Sequence, residues 1–189
     1  WLGAIDPRLP FWGAAALSLL NACYGFFVLP ESLPREKRAA FAWKRANPVG
    51  SLLLLRSHHE LFGLATLAFL GYLAHAVLPS IAVLYMGYRY GWDTASVGLM
   101  LAGVGVAAMI VQGLLIRPLT ARFGERTTLL AGLLCGATGF AIYGVAPQGW
   151  IFCLGIPVMA FWGLAGPATQ ALMTRRVSGS EQGRLQGAM

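Results

Sequence analysis

Five long apolar runs dominate the chain, and polar segments separate them. Each run holds about twenty residues, the length that an α-helix needs to cross roughly 30 Å of hydrocarbon. None contains an Asp, Glu, Lys or Arg, and one charge at the centre of such a helix costs about 2.5–3.5 kcal/mol. The pattern predicts an all-α, polytopic transmembrane helix bundle of five spans, with a sixth beginning near residue 185. The five runs are residues 10–29, 61–85, 94–116, 127–146 and 150–173.

Basic residues predict the orientation of these spans. Twelve of the 14 Lys and Arg residues follow the first, third and fifth runs, whereas Arg8 and Arg89 lie on the other side. Cytoplasmic loops of membrane proteins carry an excess of Lys and Arg, so the twelve are predicted to face the cytoplasm. The polar stretch 30–60 carries six of them and is interpreted as a cytosolic linker between two halves.

Composition narrows the choice of protein class. Hydrophobic residues make up 57% of the chain and charged residues 11%, against about 25% charged in soluble domains. The net charge of +7 would suggest nucleic acid for a soluble protein. Here the excess lies in the segments that set topology, so no nucleic-acid partner is expected. The lipid bilayer is the expected environment.

No metal site or other cofactor is expected from the sequence. The three cysteines, Cys23, Cys135 and Cys153, fall inside the apolar runs. They are interpreted as small packing residues rather than as disulfides or metal ligands. Because the chain begins at Trp1 and ends as another apolar stretch starts, we expect the rest of a longer chain to complete the bundle.

Small residues recur at helical spacing in two of the runs. Such stripes let helix backbones approach closely, which matters in lipid because hydrophobicity does not drive helices together there. We interpret the stripes as packing seams, with the alternative that they slide or rock during a functional cycle. The third run carries Gly98, Ala102, Gly105, Met109 and Gln112, and the fourth carries Gly132, Gly136, Gly139 and Tyr143.

His75 is the strongest candidate for a functional residue inside a span. It shares a helix face with Pro79 and with Tyr72, a second candidate for the substrate pathway, near mid-membrane. Ionisable residues at that depth usually face a cavity. The alternative is an imidazole that is hydrogen-bonded to a neighbouring helix. Residues 163–167 are expected to kink the fifth span, because Pro167 removes a backbone hydrogen bond.

Other polar residues in the spans are weaker candidates for the same pathway. Each has the alternative of an interhelical hydrogen bond. They are Asn21, Thr66, Gln112, Thr138 and Gln170.

Four short segments carry a family resemblance: VLPES at 28–32, residues 79–92, RFGER at 122–126 and EQGRLQG at 181–187. They resemble the Major Facilitator Superfamily, and within it the tetracycline-resistance type of drug efflux proteins. VLPES at 28–32 resembles the end of the sixth helix, and the segment 79–92 resembles the seventh helix with its outside turn. The sequence RFGER at 122–126 resembles the cytosolic turn between helices eight and nine. EQGRLQG at 181–187 resembles the turn into helix eleven, and this motif is fairly specific to the subgroup.

The resemblance implies a domain organisation and a location. Residues 1–29 would be the last helix of the N-terminal half, 30–60 the central linker, and 61–189 part of the C-terminal six-helix half. It also implies a cytosolic gate turn at Arg117, Arg122, Gly124 and Arg126. The expected location is a bacterial inner membrane.

The implied function is proton-coupled efflux of a small drug-like molecule, with the proton gradient as energy source. A nutrient or metabolite uptake permease of the same fold is the alternative, and a membrane-embedded enzyme is a distant one. In the gate turn, Arg117 and Ala121 stand where the superfamily usually has Gly and Asp. Tetracycline exporters resemble this chain around Gln112 but have His and Asp where Ala108 and Gly136 align. We therefore expect that tetracycline is not the preferred substrate.

Overall fold

The computed structural model describes residues 2–30, 59–178 and 181–187. The described residues form helices joined by short turns, with no strand among them, which confirms the predicted all-α class. Of the predicted linker, only residues 30, 59 and 60 are described. The elements are α1 (Leu2–Ile5), α2 (Leu9–Phe27), α3 (His59–Tyr90), α4 (Thr94–Ile110), a π-helical segment (Val111–Leu115), α5 (Ile116–Val145), α6 (Gly149–Ala160), a 3₁₀ segment (Phe161–Leu164), α7 (Ala165–Thr174) and α8 (Gln182–Gln186).

The chain forms two compact units, residues 1–46 and 47–189. In the first, α2 follows α1 and buries none of its own residues. An apolar helix with no buried face is suited to lipid contact or to packing against further helices. The second unit holds α3 to α8 and all the packing described below.

Four helical stretches of the described residues are long and apolar enough to span a membrane: Leu9–Phe27, Glu60–Tyr90, Thr94–Val145 and Gly149–Thr174. The third contains two of the five predicted spans. Its 52 residues would be about 78 Å long as one straight helix, more than twice the hydrocarbon thickness. The helix is instead broken at Gly124, where φ is 78° and ψ is 163°. Five passes therefore remain the consistent interpretation.

The reversal at Gly124 is visible in the packing. Val97 at the start of α4 and Tyr143 near the end of α5 belong to one buried cluster with Met86 and Phe152. Residues 46 positions apart meet at one end of the bundle because the chain runs down and back between them. Tyr143 stacks on Phe152 with ring centroids 4.1 Å apart.

The opposite end of the bundle gathers the start of α3 and the end of α7. Leu61, Met173 and Leu185 form a buried cluster there. Two ion pairs lie at this end: Arg175 with Glu125 at 2.7 Å, and Arg176 with Glu60. This is the end that the distribution of basic residues assigns to the cytoplasm.

The two small-residue stripes have different outcomes. The stripe of the fourth run is confirmed as a seam, because Gly132, Gly136, Gly139 and Tyr143 are all buried against the fifth span. The stripe of the third run is not buried against the described residues, so its role as a seam stays a prediction. Its residues are exposed, and α4 instead buries Val97 and Met100.

Candidate functional site

Prolines set the positions of two irregular segments in the spans. A proline has no N–H, and its ring clashes with the carbonyl four residues earlier, so the helix loosens in the preceding turn. Pro118 follows the π segment Val111–Leu115 and cannot donate to Leu114. Pro167 follows the 3₁₀ segment Phe161–Leu164 and cannot donate to Gly163. The expected distortion of the fifth span is confirmed, and it lies in the turn before residue 165.

These two irregular segments meet in the structure. A Cβ placed on Gly163 would lie 3.1 Å from Nε2 of Gln112 and 3.4 Å from its Cγ. The Gln112 side chain therefore lies close over the backbone of the 3₁₀ segment at Gly163, and a side chain there would have to displace it. π-bulges and 3₁₀ turns inside longer helices are frequent at functional sites and hinges.

Trp162, in the same 3₁₀ segment, connects this junction to α3 and α5. Its ring centroid lies 5.4 Å from that of His75 and 5.3 Å from that of Phe140. A Cβ placed on Gly136 would lie 2.8 Å from Trp162 Cγ. The indole thus occupies the space beside Gly136, and His75 and Gln112 contact adjacent residues of one turn.

The backbone of α3 is also modified at His75. Pro79, inside α3, removes the hydrogen bond that the carbonyl of His75 would otherwise accept. The imidazole itself is exposed in the described part of the chain. His75 therefore combines a ring beside Trp162 with a carbonyl that Pro79 leaves without its helical donor.

A groove of about 610 Å³ lies next to this junction, between α3 and α5. Gly63, Gly71 and Ala74 line it from α3, and Phe140 and Trp162 line the opposite side. Its hydroxyl-bearing residue is Thr66, whose Oγ1 donates to the carbonyl of Phe62 at 2.9 Å. The hydroxyl is thereby satisfied inside its own helix, and the groove suits apolar groups.

The other predicted pathway residues are not brought to this junction. Tyr72 is 72% exposed, and Gln170 is exposed as well. The Thr138 hydroxyl donates to the carbonyl of Leu134 at 2.8 Å, within its own helix, as the Thr66 hydroxyl does; among the described residues neither makes an interhelical hydrogen bond. Asn21 is an exposed residue of α2 in the other unit.

The predicted gate turn is a tight, partly polar structure at the cytosolic end. Gly124 has a backbone conformation that is essentially restricted to glycine, and its carbonyl accepts the Thr128 hydroxyl at 2.8 Å. The Arg122 guanidinium lies 5.6 Å from the centroid of the Phe123 ring. Arg126 is exposed.

Sequence reasoning missed the ion pair that connects this turn to the fifth span. Glu125 is only 12% exposed in its side chain, whereas its partner Arg175 is 73% exposed. A carboxylate this sheltered needs a close cation, because removing a charge from water is costly unless it is paired.

Sequence reasoning also missed Trp162, although an aromatic residue just before the predicted kink was a usable signal. Within the ranges that the structure covers, no group of three or more His, Cys, Asp or Glu residues could hold a metal ion.

The sequence is similar to known proteins along its whole length. The family model of the Major Facilitator Superfamily matches residues 1–189. The chain is 33% identical over 188 residues to the class C tetracycline resistance protein of Escherichia coli, covering 100% of the chain and 47% of that protein. It is 35% identical over 191 residues to the class G protein of Vibrio anguillarum, covering 100% and 48%.

A eukaryotic protein is also similar. The human hippocampus abundant transcript-like protein 1 is 29% identical over 179 residues, covering 92% of the chain and 35% of that protein. The chain thus spans about half the length, or less, of these curated relatives. No solved structure gives a significant match.

Proposed function

This chain belongs to the Major Facilitator Superfamily, and on that premise we propose that it is part of a multi-pass secondary transporter of a bacterial inner membrane. The transporter exports a small amphipathic molecule against its gradient, and proton movement supplies the energy. Residues 1–29 are proposed as the last helix of the N-terminal half, 30–60 as the central linker, and 61–189 as part of the C-terminal half. The full-length bacterial relatives, named as tetracycline resistance proteins, support the efflux direction.

The observation that carries the proposal is the junction around Trp162. His75 and Gln112 contact Trp162 and Gly163, which are consecutive residues of one 3₁₀ turn. Pro167 removes a backbone hydrogen bond from that turn, and Pro79 and Pro118 each remove one from the helices that carry His75 and Gln112. Interrupted helices at membrane depth are common where transporters bind their substrates. An imidazole can accept, donate or carry a proton, so His75 is the proposed coupling or substrate-contact residue.

The cytosolic turn is the proposed gate. The Glu125–Arg175 pair joins the turn before the fourth span to the end of the fifth span. Both elements belong to the proposed C-terminal half, so the pair is proposed to hold the turn in place against the fifth span of that half. Arg117, Arg122, Gly124 and Arg126 belong to the same turn region and are proposed to shape it rather than to bind substrate.

An uptake permease of the same fold is the second candidate, since direction depends on coupling groups that can lie elsewhere in the full-length protein. A membrane-embedded enzyme would need a nucleophile with its base, or converging metal ligands. The family membership and the names of the relatives both argue against that class.

The test uses the full-length protein expressed in a drug-sensitive bacterium. Cells loaded with ethidium, as an amphipathic probe, or with tetracycline are energised, and loss of the probe is followed by fluorescence. Export predicts rapid loss that stops when a protonophore collapses the proton gradient. Net accumulation above the vector control would support the uptake permease instead.

The variant His75→Gln separates proton chemistry from packing. Glutamine keeps a hydrogen-bond donor and an acceptor but cannot carry a proton. If His75 couples protons, the variant reaches the membrane in normal amounts and loses at least the pH dependence of export. Tyr72→Phe is the matched control on the same helix face, and export by this control should be close to wild type. Unchanged export and pH dependence in His75→Gln would remove this residue from the site.

A further inference from the structure

A second cavity lies at the cytosolic end, apart from the junction around Trp162. Its volume is about 470 Å³, within the range of sites that hold small ligands. Ile116 and Ala168 contribute apolar walls, whereas Arg117, Thr120 and Arg175 contribute polar groups. A surface of this mixed character is suited to a ligand with a charged head and an apolar body.

The described residues leave the charge of this cavity unbalanced. Arg117 is exposed and makes no ion pair with any residue in the described ranges. Arg175 is paired with Glu125 but remains 73% exposed in its side chain. Two guanidinium groups and one carboxylate therefore line one space, with a surplus of one positive charge.

We propose that this cavity binds the phosphate of an anionic phospholipid from the cytosolic leaflet. Guanidinium groups bind phosphate oxygens through paired hydrogen bonds, and the Thr120 hydroxyl adds a neutral donor. Basic pockets between membrane helices on the cytoplasmic side are suited to anionic headgroups. The residues directly preceding Arg175 belong to a predicted span, so the acyl chains can remain in the bilayer.

Lipid binding should also affect the ion pair between Glu125 and Arg175, because both involve the same guanidinium. A phosphate within reach of Arg175 competes with the Glu125 carboxylate for the same guanidinium. Anionic lipid should then weaken the contact between the turn and the fifth span. This inference concerns lipid binding and does not depend on which molecule the protein transports.

The experiment measures lipid retention by the purified full-length protein. The protein is titrated with phosphatidylglycerol in detergent, and native mass spectrometry counts the bound lipids. Arg117→Gln should lower the affinity about fivefold, the factor that corresponds to roughly 1 kcal/mol for one basic residue at an anionic surface. Arg122→Gln is the matched control, because it removes the same charge from the same turn but lies outside the cavity lining.

Glu125→Gln gives a prediction of opposite sign. Removing the competing carboxylate frees Arg175, so retention of phosphatidylglycerol should rise, an effect that loss of structure would not produce. The proposal is overturned if Arg117→Gln and Arg122→Gln weaken binding equally, since that indicates diffuse surface attraction. It is also overturned if phosphatidylcholine binds as tightly, if Glu125→Gln lowers retention, or if millimolar inorganic phosphate displaces the lipid and thereby marks a site for free phosphate.

Discussion

Replacing Gly136 by alanine tests the packing of the junction most directly. The added Cβ would lie 2.8 Å from Cγ and 2.9 Å from Cδ1 of Trp162. These atoms lie at the base of the indole, so a rotation of the distal ring does not relieve the clash. Phe140 and His75 flank the same ring at 5.3 and 5.4 Å, so a shift of the indole disturbs both of these contacts.

Two opposing contributions set the change in stability that Gly136→Ala causes. Alanine stabilises a helix interior by about 0.5–1 kcal/mol relative to glycine, whereas overpacking a close contact costs about 1–3 kcal/mol. The middle of each range, about 2 kcal/mol for the clash against about 0.75 kcal/mol for the helix, gives an expected net loss of roughly 1 kcal/mol. Gly105→Ala is the control, because a Cβ there meets no heavy atom within 4 Å in the described chain. It should be neutral or stabilising.

The assay is thermal unfolding of the purified full-length protein in detergent. The midpoint should fall for Gly136→Ala and not for Gly105→Ala, and adding Trp162→Phe should recover part of the loss. A double-mutant cycle then gives a coupling energy between positions 136 and 162 of at least about 0.5 kcal/mol, as expected for residues in contact. Equal midpoints for the two alanine variants, or strict additivity in the cycle, would refute the contact as described.

Three further predictions address the ends of the bundle. Cysteine introduced at Thr120 should react with an impermeant maleimide only after permeabilisation, whereas cysteine at Gln148 should react in intact cells; the reverse pattern would invert the topology. Arg122→Ala should lower the export rate while leaving the equilibrium binding of substrate nearly intact, because it lies on the cytosolic turn; a large loss of binding would contradict this role. Asp93 caps α4 by accepting the Ser96 N–H at 2.9 Å, and its hydrogen bonds to Ser96 lower the pKa of the carboxylate. Its stabilising contribution is therefore present above the unfolded-state pKa and lost as pH falls through the lowered pKa, so Asp93→Asn should reduce the pH dependence of unfolding in acid.

The spans and their order could be predicted from the sequence because hydropathy and charge are local properties. Each run lacks charge over its whole length, and the basic residues lie where the chain leaves the bundle on one side. The inward face of each span was harder to predict. The third run is apolar all round, so hydrophobicity does not distinguish a face toward lipid from a face toward protein. The stripe through Gly105 was therefore assigned inward, whereas Val97 and Met100 are the buried residues.

The same limit applies to contacts between distant residues. Glu125 and Arg175 are 50 positions apart, and nothing local in either segment predicts their pairing. The distortion before Pro167 was predictable, since a missing N–H acts on the carbonyl four residues earlier. That the turn before Pro167 would meet the turn before Pro118 was not predictable, since it depends on how the third and fifth spans align.

The glycine seam of α5 fixes the fourth span against the fifth. A Cβ on Gly132 would lie 3.2 Å from the carbonyl oxygen of Phe161, and one on Gly136 would lie 2.8 Å from Trp162 Cγ. This close approach sets the height of residues 161–164 along α5, and Gly163 in that segment lies against Gln112 of the third span. The seam and the two prolines therefore act together: the prolines weaken two helices, and the glycines place the weakened turns side by side. A larger residue at position 136 should then alter the contact at Gln112 as well as the packing of Trp162, although Gln112 lies on a different helix.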